Sequence, residues 1–381
     1  MGKRAANGMG SIRQRPDGRW EARYTAPDGR QHSVFARTQK EVSAKLKAVL
    51  QQVDGGAWRE PTKMLMSQWF EIWLTDYQTH ITERTTRRYR CVVNKHFIPS
   101  VGNIRVVKLL PLHIRHMVSD MMKAGCKEST IGNYMAIFNS CLEAAVEAGL
   151  ITRNPADAVK MPRVPPTQFT IVDRADIARF IELAKENPYG NEMVLLLLTG
   201  LRLGELCGLR WEDIDFAAGT MHVQRQLHQH WKDLSPITPP KYGEDRILHL
   251  APEALALLRE QRRRQAKQRL ASNTWVDDDV SKDLVFRADN GAPCGYKSVY
   301  RAVKEIGAKM DLPDLHPHDL RHSYAIAALR SGADVKTVQH NLGHRTAKMT
   351  LDVYAAYTDD AGRESAAKLS AYLQNISAKP N

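Results

Sequence analysis

The sequence predicts a multidomain protein with a small N-terminal three-stranded β-sheet plus helix, an all-α domain, and a mixed, mainly-α domain that contains a small antiparallel sheet. Three observations predict this organisation. Two Asp-Gly pairs near the N-terminus are typical of β-hairpins, apolar residues recur at helical spacing through residues 64–160, and a proline-rich segment occupies residues 154–168. A chain of 381 residues is long enough for two or three separate cores.

The first part of the chain, residues 1–56, predicts a sheet that one helix covers. Asp-Gly pairs at 17–18 and 28–29 stand between short runs of alternating apolar and polar residues. The next segment carries a Thr38 cap and an apolar stripe at helical spacing, formed by Val42, Leu46, Val49 and Val53. The opposite face of the sheet presents Arg13, Arg15 and Arg23. Such a face can enter a DNA groove, and a solvated surface is an equally good interpretation.

The second part, residues 62–160, predicts a helical domain. Its large apolar residues repeat at the spacing of a packed helix core, as in Trp69, Phe70, Trp73, Leu74 and Tyr77. One predicted helix and the segment after it offer basic contacts to a phosphate backbone, namely Arg84, Arg87, Arg88 and Lys95. We expect an extended linker at residues 161–168, followed by a third domain with a C-terminal tail at residues 169–381.

The third part predicts mainly helices with a few strands. The expected helices lie at about 173–187, 190–210, 252–270, 297–310, 317–331 and 334–342. The expected strands lie near 220–226, 234–250 and 284–287. A basic run on the 252–270 helix has a spacing that fits a solvated face.

The net charge of +13 is concentrated in the first two fifths of the chain. Residues 1–60 and residues 61–165 each carry +6, whereas residues 166–381 carry +1. Nucleic acid is therefore the first partner to consider, because clustered Lys and Arg gain affinity by releasing phosphate counterions. The longest apolar run, 193–198, is too short to span a bilayer. We expect a cytoplasmic, nucleoid-associated bacterial protein with five reduced core cysteines and no membrane partner.

Four short segments carry polar residues that point to one chemistry. They are "TGLRLGELCGLRW" (199–211), "SPITPPKYGEDRILHL" (235–250), "HPHDLRHSYA" (316–325) and "LGHRTAKMTLDVYAAY" (342–357). Each is a weak signal alone, since an arginine on a helix or a lysine on a hairpin is usually a surface residue. Together they offer Arg202, Lys241, His318, Arg321, His344 and a tyrosine.

This set of side chains fits the displacement of a phosphodiester. Two guanidiniums can neutralise the phosphate oxygens bidentately, and histidines can donate to them or move a proton. A lysine on a mobile hairpin can protonate the departing alkoxide, while a phenol can attack phosphorus and hold it covalently. On chemistry alone, both Tyr354 and Tyr357 are candidates for that phenol.

No metal and no cofactor are expected for this chemistry. Phosphoryl transfer through metal ions uses clustered carboxylates, and the sequence has no such set in a motif. It also lacks a phosphate-binding glycine loop and zinc-ligand spacing. Glu205 follows Arg202 by one helical turn and is expected to be its partner.

The sequence resembles the tyrosine recombinases, specifically the integrases of phages and conjugative transposons, over nearly its whole length. "TGLRLGEL", "HPHDLRHS" and "LGHRTAKMTLDVY" carry the resemblance, together with "GLITRNPADAV" (149–159) and "GSIRQRPDGRWEARY" (10–24). It implies catalytic roles for Arg202, Lys241, His318, Arg321, His344 and Tyr354. Lys232 stands near Lys241, so the hairpin lysine has a second candidate.

The resemblance also implies a mechanism and partners. Tyr354 would form a 3′-phosphotyrosine and free a 5′-hydroxyl that then attacks the partner duplex. Four protomers would exchange strands between two duplexes and so integrate or excise a mobile element. The N-terminal sheet would hold arm sites, while the other two domains would clamp the core site. The family often uses a small excisionase and a DNA-bending host protein as accessory partners.

Three alternatives to this interpretation stay open at the level of sequence. A type IB topoisomerase uses nearly the same residues to relax DNA, a related enzyme resolves replicon dimers, and a catalytically inactive relative would be an architectural DNA-binding protein. One departure concerns the nucleophile, because the family commonly has a polar residue such as histidine soon after it and this sequence has "YAAY". The spacing after His344 favours Tyr354 over Tyr357.

Overall fold

The structure is a computed structural model, and its chain divides into two units, residues 1–166 and 167–381. Each unit is described by itself. The described residues are 10–27, 29–55, 62–165, 169–228, 236–241, 245–355 and 370. Among them, no helix is both long and apolar enough to cross a membrane.

The N-terminal part of the first unit is a three-stranded antiparallel sheet with one helix against it. Strands β1 (Ser11–Gln14), β2 (Trp20–Thr25) and β3 (Gln31–Ala36) pair in sequence order, and helix α1 spans Gln39–Asp54. The predicted cap is confirmed, because the Glu41 N–H donates to Thr38 Oγ1 at 3.3 Å. The buried residues between sheet and helix include Ala22, Tyr24, Val42 and Leu46.

The rest of the first unit is helical, as the sequence predicts. Its helices are α2 (Met66–Ile72), α3 (Glu83–Val92), α4 (Ile98–Val101), α5 (Pro111–Lys123) and α6 (Glu128–Glu147). Two π-helical turns, Trp73–Tyr77 and Val93–Phe97, follow α2 and α3, and 3₁₀ turns occupy Val106–Lys108 and Pro155–Ala158. The buried side chains form one aromatic core that includes Trp69, Phe70, Trp73, Phe97 and Phe138.

The second unit is mainly helical with two small antiparallel sheets, ordered β4-β5-β8 and β6-β7. Its elements are α7 (Ile177–Lys185), α8 (Gly190–Thr199), α9 (Leu203–Cys207), β4 (Ile214–Asp215), β5 (Thr220–Val223), β6 (Gln226–Leu227), β7 (Ile237–Thr238), β8 (Arg246–His249), α10 (Pro252–Ala271), α11 (Tyr296–Lys309), α12 (Pro317–Arg330), α13 (Val335–Leu342) and α14 (Ala347–Ala355). The apolar helix α8 contributes to the core, together with residues of α7, α10 and α11. This core supports the loops that carry the candidate site.

Several expectations from the sequence were wrong in detail. The single helix expected at 190–210 is broken after Thr199, because Gly200 adopts a left-handed conformation (φ +65°) that ends α8. Residues 284–287 do not form a strand, since Leu284 and Arg287 make only isolated bridges. The thiols are not all core residues, because Cys91 is exposed and only three of the five cysteines are buried.

Candidate active site

The break after α8 places Arg202 at the start of the short helix α9. Its backbone N–H donates to Glu205 Oε2 at 2.9 Å, and its Nη1 donates to Glu205 Oε1 at 2.8 Å. The carboxylate therefore satisfies an orphan donor at the helix start and also fixes the guanidinium. The partnership expected between Arg202 and Glu205 is present in the structure.

Glu205 also binds a second arginine, Arg246, which was not among the residues predicted from the sequence. Arg246 Nη2 lies 2.8 Å from Glu205 Oε2, and Nη1 lies 3.1 Å from Oε1. Burial raises the pKa of Glu205, but the hydrogen bonds and charge of Arg246, with the charge of Arg202, lower it to about 2. The carboxylate is therefore ionised at neutral pH, between two guanidiniums.

Arg321 lies on α12 and is almost completely buried. Its Nη1 donates to the Gly200 carbonyl at 2.7 Å, and its Nη2 donates to the Leu342 carbonyl. Its Nε has no hydrogen-bond partner among the described residues. Burial and the charge of Arg202 lower the pKa of Arg321 to about 9, so that it stays protonated at neutral pH.

Three arginines converge on the last turn of α13. Arg246 Nε donates to the Asn341 carbonyl at 2.7 Å, Arg321 Nη2 donates to the Leu342 carbonyl, and Arg202 Nη2 donates to the Gly343 carbonyl at 2.8 Å. The carbonyls at a helix C-terminus lack intrahelical partners and favour cations. The end of α13 therefore holds all three guanidiniums in one place.

The candidate histidines lie around this cluster. His344 follows α13 directly, and its Nδ1 lies 2.9 Å from the Thr350 hydroxyl on α14. His318 on α12 keeps an exposed edge and packs perpendicular to His322, with 4.6 Å between ring centroids. His322 in turn contacts Phe169, at 4.4 Å between centroids.

All three histidines have a lowered pKa. The loss of hydration around the rings is the largest cause, and the neighbouring positive charges add to it. The pKa is about 4 for His318 and about 3 for His322 and His344. The histidines are therefore neutral at physiological pH, which leaves them able to donate or accept hydrogen bonds without adding charge.

The remaining two predicted catalytic residues lie on neighbouring segments. Lys241 is exposed in the turn before β8, and its charge contributes to the lowered pKa of His318. Tyr354 lies on α14, which packs against α12 and α13. Lys232, Tyr357 and nearly all of the C-terminal tail lie outside the described residues.

The DNA-contact candidates of the first unit occupy its surface. On the sheet face opposite α1, Arg13 and Arg23 bind the buried carboxylate of Glu21 at 2.7 and 3.1 Å. Hydrogen bonds from Arg13, Ser33 and Arg23 lower the pKa of Glu21 to about 2. The Arg15 guanidinium lies 5.6 Å from the centroid of the Phe35 ring. The helical-domain candidates are all exposed and comprise Arg84, Arg87, Arg88 and Lys95.

Three residues of the site were not predicted from the sequence, namely Arg246, His322 and Thr350. Arg246 had no clear signal in the sequence, because apolar Ile247 stands beside it and only the structure shows that Arg246 and Leu248 share the buried face of β8. His322 lies one turn after His318 on the same helix, so the sequence spacing already placed the two together. Thr350 carried no such signal, because only the turn between α13 and α14 brings it to His344.

Comparison with known proteins shows the family. The phage integrase family matches residues 172–360, the phage integrase N-terminal SAM-like domain matches 65–122, and the phage integrase N-terminal domain matches 8–40. A putative prophage phiRv2 integrase of Mycobacterium tuberculosis is 26% identical over 387 residues, covering 98% of each chain.

Solved structures show the same fold. The Tn1549 transposon integrase in complex with a circular intermediate DNA superimposes with a TM-score of 0.68 at 20% identity, covering 81% of this chain and 100% of that one. A lambda integrase tetramer bound to a Holliday junction superimposes with a TM-score of 0.58 at 15% identity, covering 92% and 96%. The chain belongs to the phage integrase family and is a tyrosine-type site-specific DNA recombinase.

Proposed function

We propose that this recombinase integrates and excises a mobile DNA element through a covalent bond between Tyr354 and the 3′-phosphate of the cut strand. The convergence of Arg202 and Arg321 at the end of α13 carries the proposal. This turn leads through His344 directly into α14, the helix that contains Tyr354. A phosphate-binding pair and a candidate nucleophile are thereby joined by one short segment.

The proposed roles follow from charge and position. Arg202 and Arg321 bind the non-bridging oxygens of the scissile phosphate, which gain negative charge as the tyrosine oxygen adds to phosphorus. Neutral His318 and His344 donate hydrogen bonds to the same oxygens or accept the phenol proton. The bond from phosphorus to the 5′ oxygen breaks, and Lys241 protonates that oxygen. The reverse reaction with a 5′-hydroxyl of the partner duplex rejoins the strands, so no nucleotide is consumed.

The proposed substrate is double-stranded DNA with core and arm sites. The helical domain (62–160) and the catalytic domain (169–381) bind the core site, joined by the linker at 161–168. The N-terminal domain (1–56) binds arm sites through the face with Arg13, Arg15 and Arg23. Four protomers assemble on two duplexes, as the lambda integrase tetramer on a Holliday junction supports. A small excisionase and a DNA-bending host protein are the accessory partners that we propose.

The experiment that tests the nucleophile uses a nicked DNA substrate that carries the end of the element. Wild type, Tyr354→Phe and Tyr357→Phe are mixed with it in EDTA, and a denaturant-resistant protein–DNA adduct is measured by gel. We expect an adduct with wild type and Tyr357→Phe but none with Tyr354→Phe. Loss with Tyr357→Phe alone would move the nucleophile one helical turn along the chain. A wild type that binds this DNA without forming an adduct would refute the covalent mechanism.

A further inference from the structure

Arg246 is a buried charge that the proposed mechanism does not use. It lies at the start of β8, just after the turn that carries Lys241, and it is only 5% exposed. It donates to both oxygens of Glu205 and to the Asn341 carbonyl. Burying a guanidinium lowers the stability of the fold unless its partners compensate for the lost hydration. A buried arginine at this position therefore calls for an explanation.

The charges of the cluster explain what Arg246 contributes. The cluster at the end of α13 holds three guanidiniums and one carboxylate, which leaves two net positive charges. Arg202 and Arg246 bind the Glu205 carboxylate, whereas Arg321 binds the Gly200 and Leu342 carbonyls. Without Arg246, Arg202 would be the one cation bound to the carboxylate among the described residues. The pair would then be neutral, and a single net positive charge would remain for a phosphate whose oxygens gain negative charge during cleavage.

The hydrogen bonds of Arg246 also indicate that it acts on Arg202. Glu205 accepts from the Arg202 side chain through Oε1 and from Arg246 through both oxygens, so the carboxylate that fixes Arg202 is shared with Arg246. Arg246 also fixes the Asn341 carbonyl, two residues before the Gly343 carbonyl that binds Arg202. Both contacts act on a carboxylate or a helix end that binds Arg202, and they therefore restrain its position.

We propose that Arg246 is a positioning residue for strand cleavage, which neutralises Glu205 and anchors the end of α13 so that the charge of Arg202 stays available to the scissile phosphate. The inference rests on the proposed function, because it assumes that Arg202 binds that phosphate. It makes no assumption about which tyrosine is the nucleophile.

The first test measures single-turnover cleavage of the nicked DNA and, separately, DNA affinity. Arg246→Met removes one charge and is expected to cleave about 100-fold more slowly with unchanged affinity, as for the loss of one transition-state donor. Arg246→Met combined with Glu205→Gln restores two net positive charges with a neutral pair in place of the buried ions. We expect this double variant to recover most of the cleavage rate.

The second test separates charge from structure. A methylphosphonate at the scissile position replaces one charged oxygen by a methyl group and so demands less positive charge. The cleavage defect of Arg246→Met is expected to be at least about tenfold smaller on this substrate than on the phosphodiester. The reason is that the protein then lacks one positive charge and the substrate lacks one negative charge. A defect caused by misfolding would be the same on both substrates.

A matched control is available in the same unit. Arg287 is 8% exposed, pairs with Asp277 and donates to the carbonyls of Val276 and Gly291, but it makes none of the contacts of the arginine cluster. Arg287→Met should change thermal stability without changing the ratio of the two cleavage rates. If Arg246→Met does not fold, the double variant decides, because it replaces both buried ions and is expected to fold and cleave.

The outcomes are distinct. Equal defects on the two substrates, or a folded double variant without cleavage, would overturn the role of Arg246 while leaving wild-type adduct formation intact. Cleavage by Arg246→Met at the wild-type rate would overturn it as well. Failure of the wild type to form an adduct would instead reject the proposed function, and with it this inference.

Discussion

Two buried glutamates of the second unit differ in charge at neutral pH because their partners differ. Glu205 has two guanidiniums within hydrogen-bond distance, which lower its pKa to about 2. Glu192 on α8 has the Cys294 thiol 4.0 Å from Oε1, and its Oε2 has no partner among the described residues. Burial therefore raises the pKa of Glu192 to about 7. The same side chain is thus an anion at one position and a partly protonated acid at the other.

Stability should fall as the pH rises through 7 because of Glu192. Its folded-state pKa lies above the unfolded value, so its contribution is complete below about pH 4.5 and is lost as the pH approaches 8. Glu192→Gln should abolish this decrease in the free energy of unfolding, which is about 3 kcal/mol for a pKa raised from 4.5 to about 7. Denaturant unfolding at pH 5 and pH 8 measures this difference. The exposed Glu186→Gln serves as control, and a Glu192→Gln variant with the wild-type pH dependence would contradict the prediction.

Replacing either of the arginines that we propose to bind the scissile phosphate should separate DNA binding from strand cleavage. Arg202→Ala and Arg321→Ala should leave site affinity largely intact and reduce adduct formation by about two orders of magnitude or more, because the clamp acts mainly on charge that develops during cleavage. Filter binding and the adduct assay on the same DNA measure the two effects. Equal losses of affinity and cleavage would show that these arginines bind DNA only in the ground state.

At the scale of elements, the candidate site depends on where helices end. Gly200 ends α8 and Gly343 ends α13, both in the left-handed conformation. The turn at Gly200 ends the helix, so that Arg202 begins α9. The carbonyl of Gly200 accepts a hydrogen bond from Arg321. The turn at Gly343 exposes carbonyls for Arg202, Arg246 and Arg321 and directs the chain into α14. The arginine cluster of the candidate site therefore depends on two helix ends, and no single helix or strand carries all of its residues.

Gly343→Ala tests the second of these turns. A Cβ at this position would lie 3.0 Å from Arg246 Nη1, and the φ of +59° is strained for alanine by about 1 kcal/mol. We expect a lower melting temperature and a cleavage loss larger than destabilisation explains. Gly332→Ala is the control, because φ is +98° there but no atom lies within 4 Å of its Cβ. Similar cleavage rates for the two variants would argue against a specific role for the turn.

At the scale of the whole molecule, the distribution of charge and the family matches both distinguish the first two fifths of the chain from the rest. The positive excess lies in the first two fifths of the sequence, where the SAM-like and N-terminal phage integrase domains match. The remainder of the chain, residues 166–381, is nearly neutral, with a net charge of +1. Because the matches extend over all three regions, the topoisomerase, dimer-resolution and architectural alternatives are not favoured.

Removing residues 1–56 should separate the two kinds of DNA site. The shortened protein should still form the covalent adduct on core DNA, because every residue of the candidate active site lies in the second unit. It should lose binding to arm-site DNA, as measured by gel shift against the full chain. Loss of the core adduct would show that the N-terminal domain is also needed for cleavage.

Much of the fold could be predicted from local patterns. Asp-Gly turns, the Thr38 cap and the apolar stripe predicted the sheet and α1, and helical spacing predicted the aromatic core of the helical domain. The helix break at Gly200 was missed because the apolar residues on both sides keep helical spacing across it. The assignments of the catalytic roles and of the domain boundaries stay predictions.

The sequence by itself determined the N-terminal sheet with its helix, the helical character of the segment after it, the charge asymmetry and the motifs that place this chain among the integrases, since each is a local pattern or a count. The tertiary structure alone decided that Arg246 shares Glu205 with Arg202, that three guanidiniums meet at the end of α13, and that the histidines are neutral. These facts depend on contacts between residues up to 141 positions apart and on the water that packing excludes. Neither the long-range contacts nor the exclusion of water can be recognised from a local pattern in the sequence.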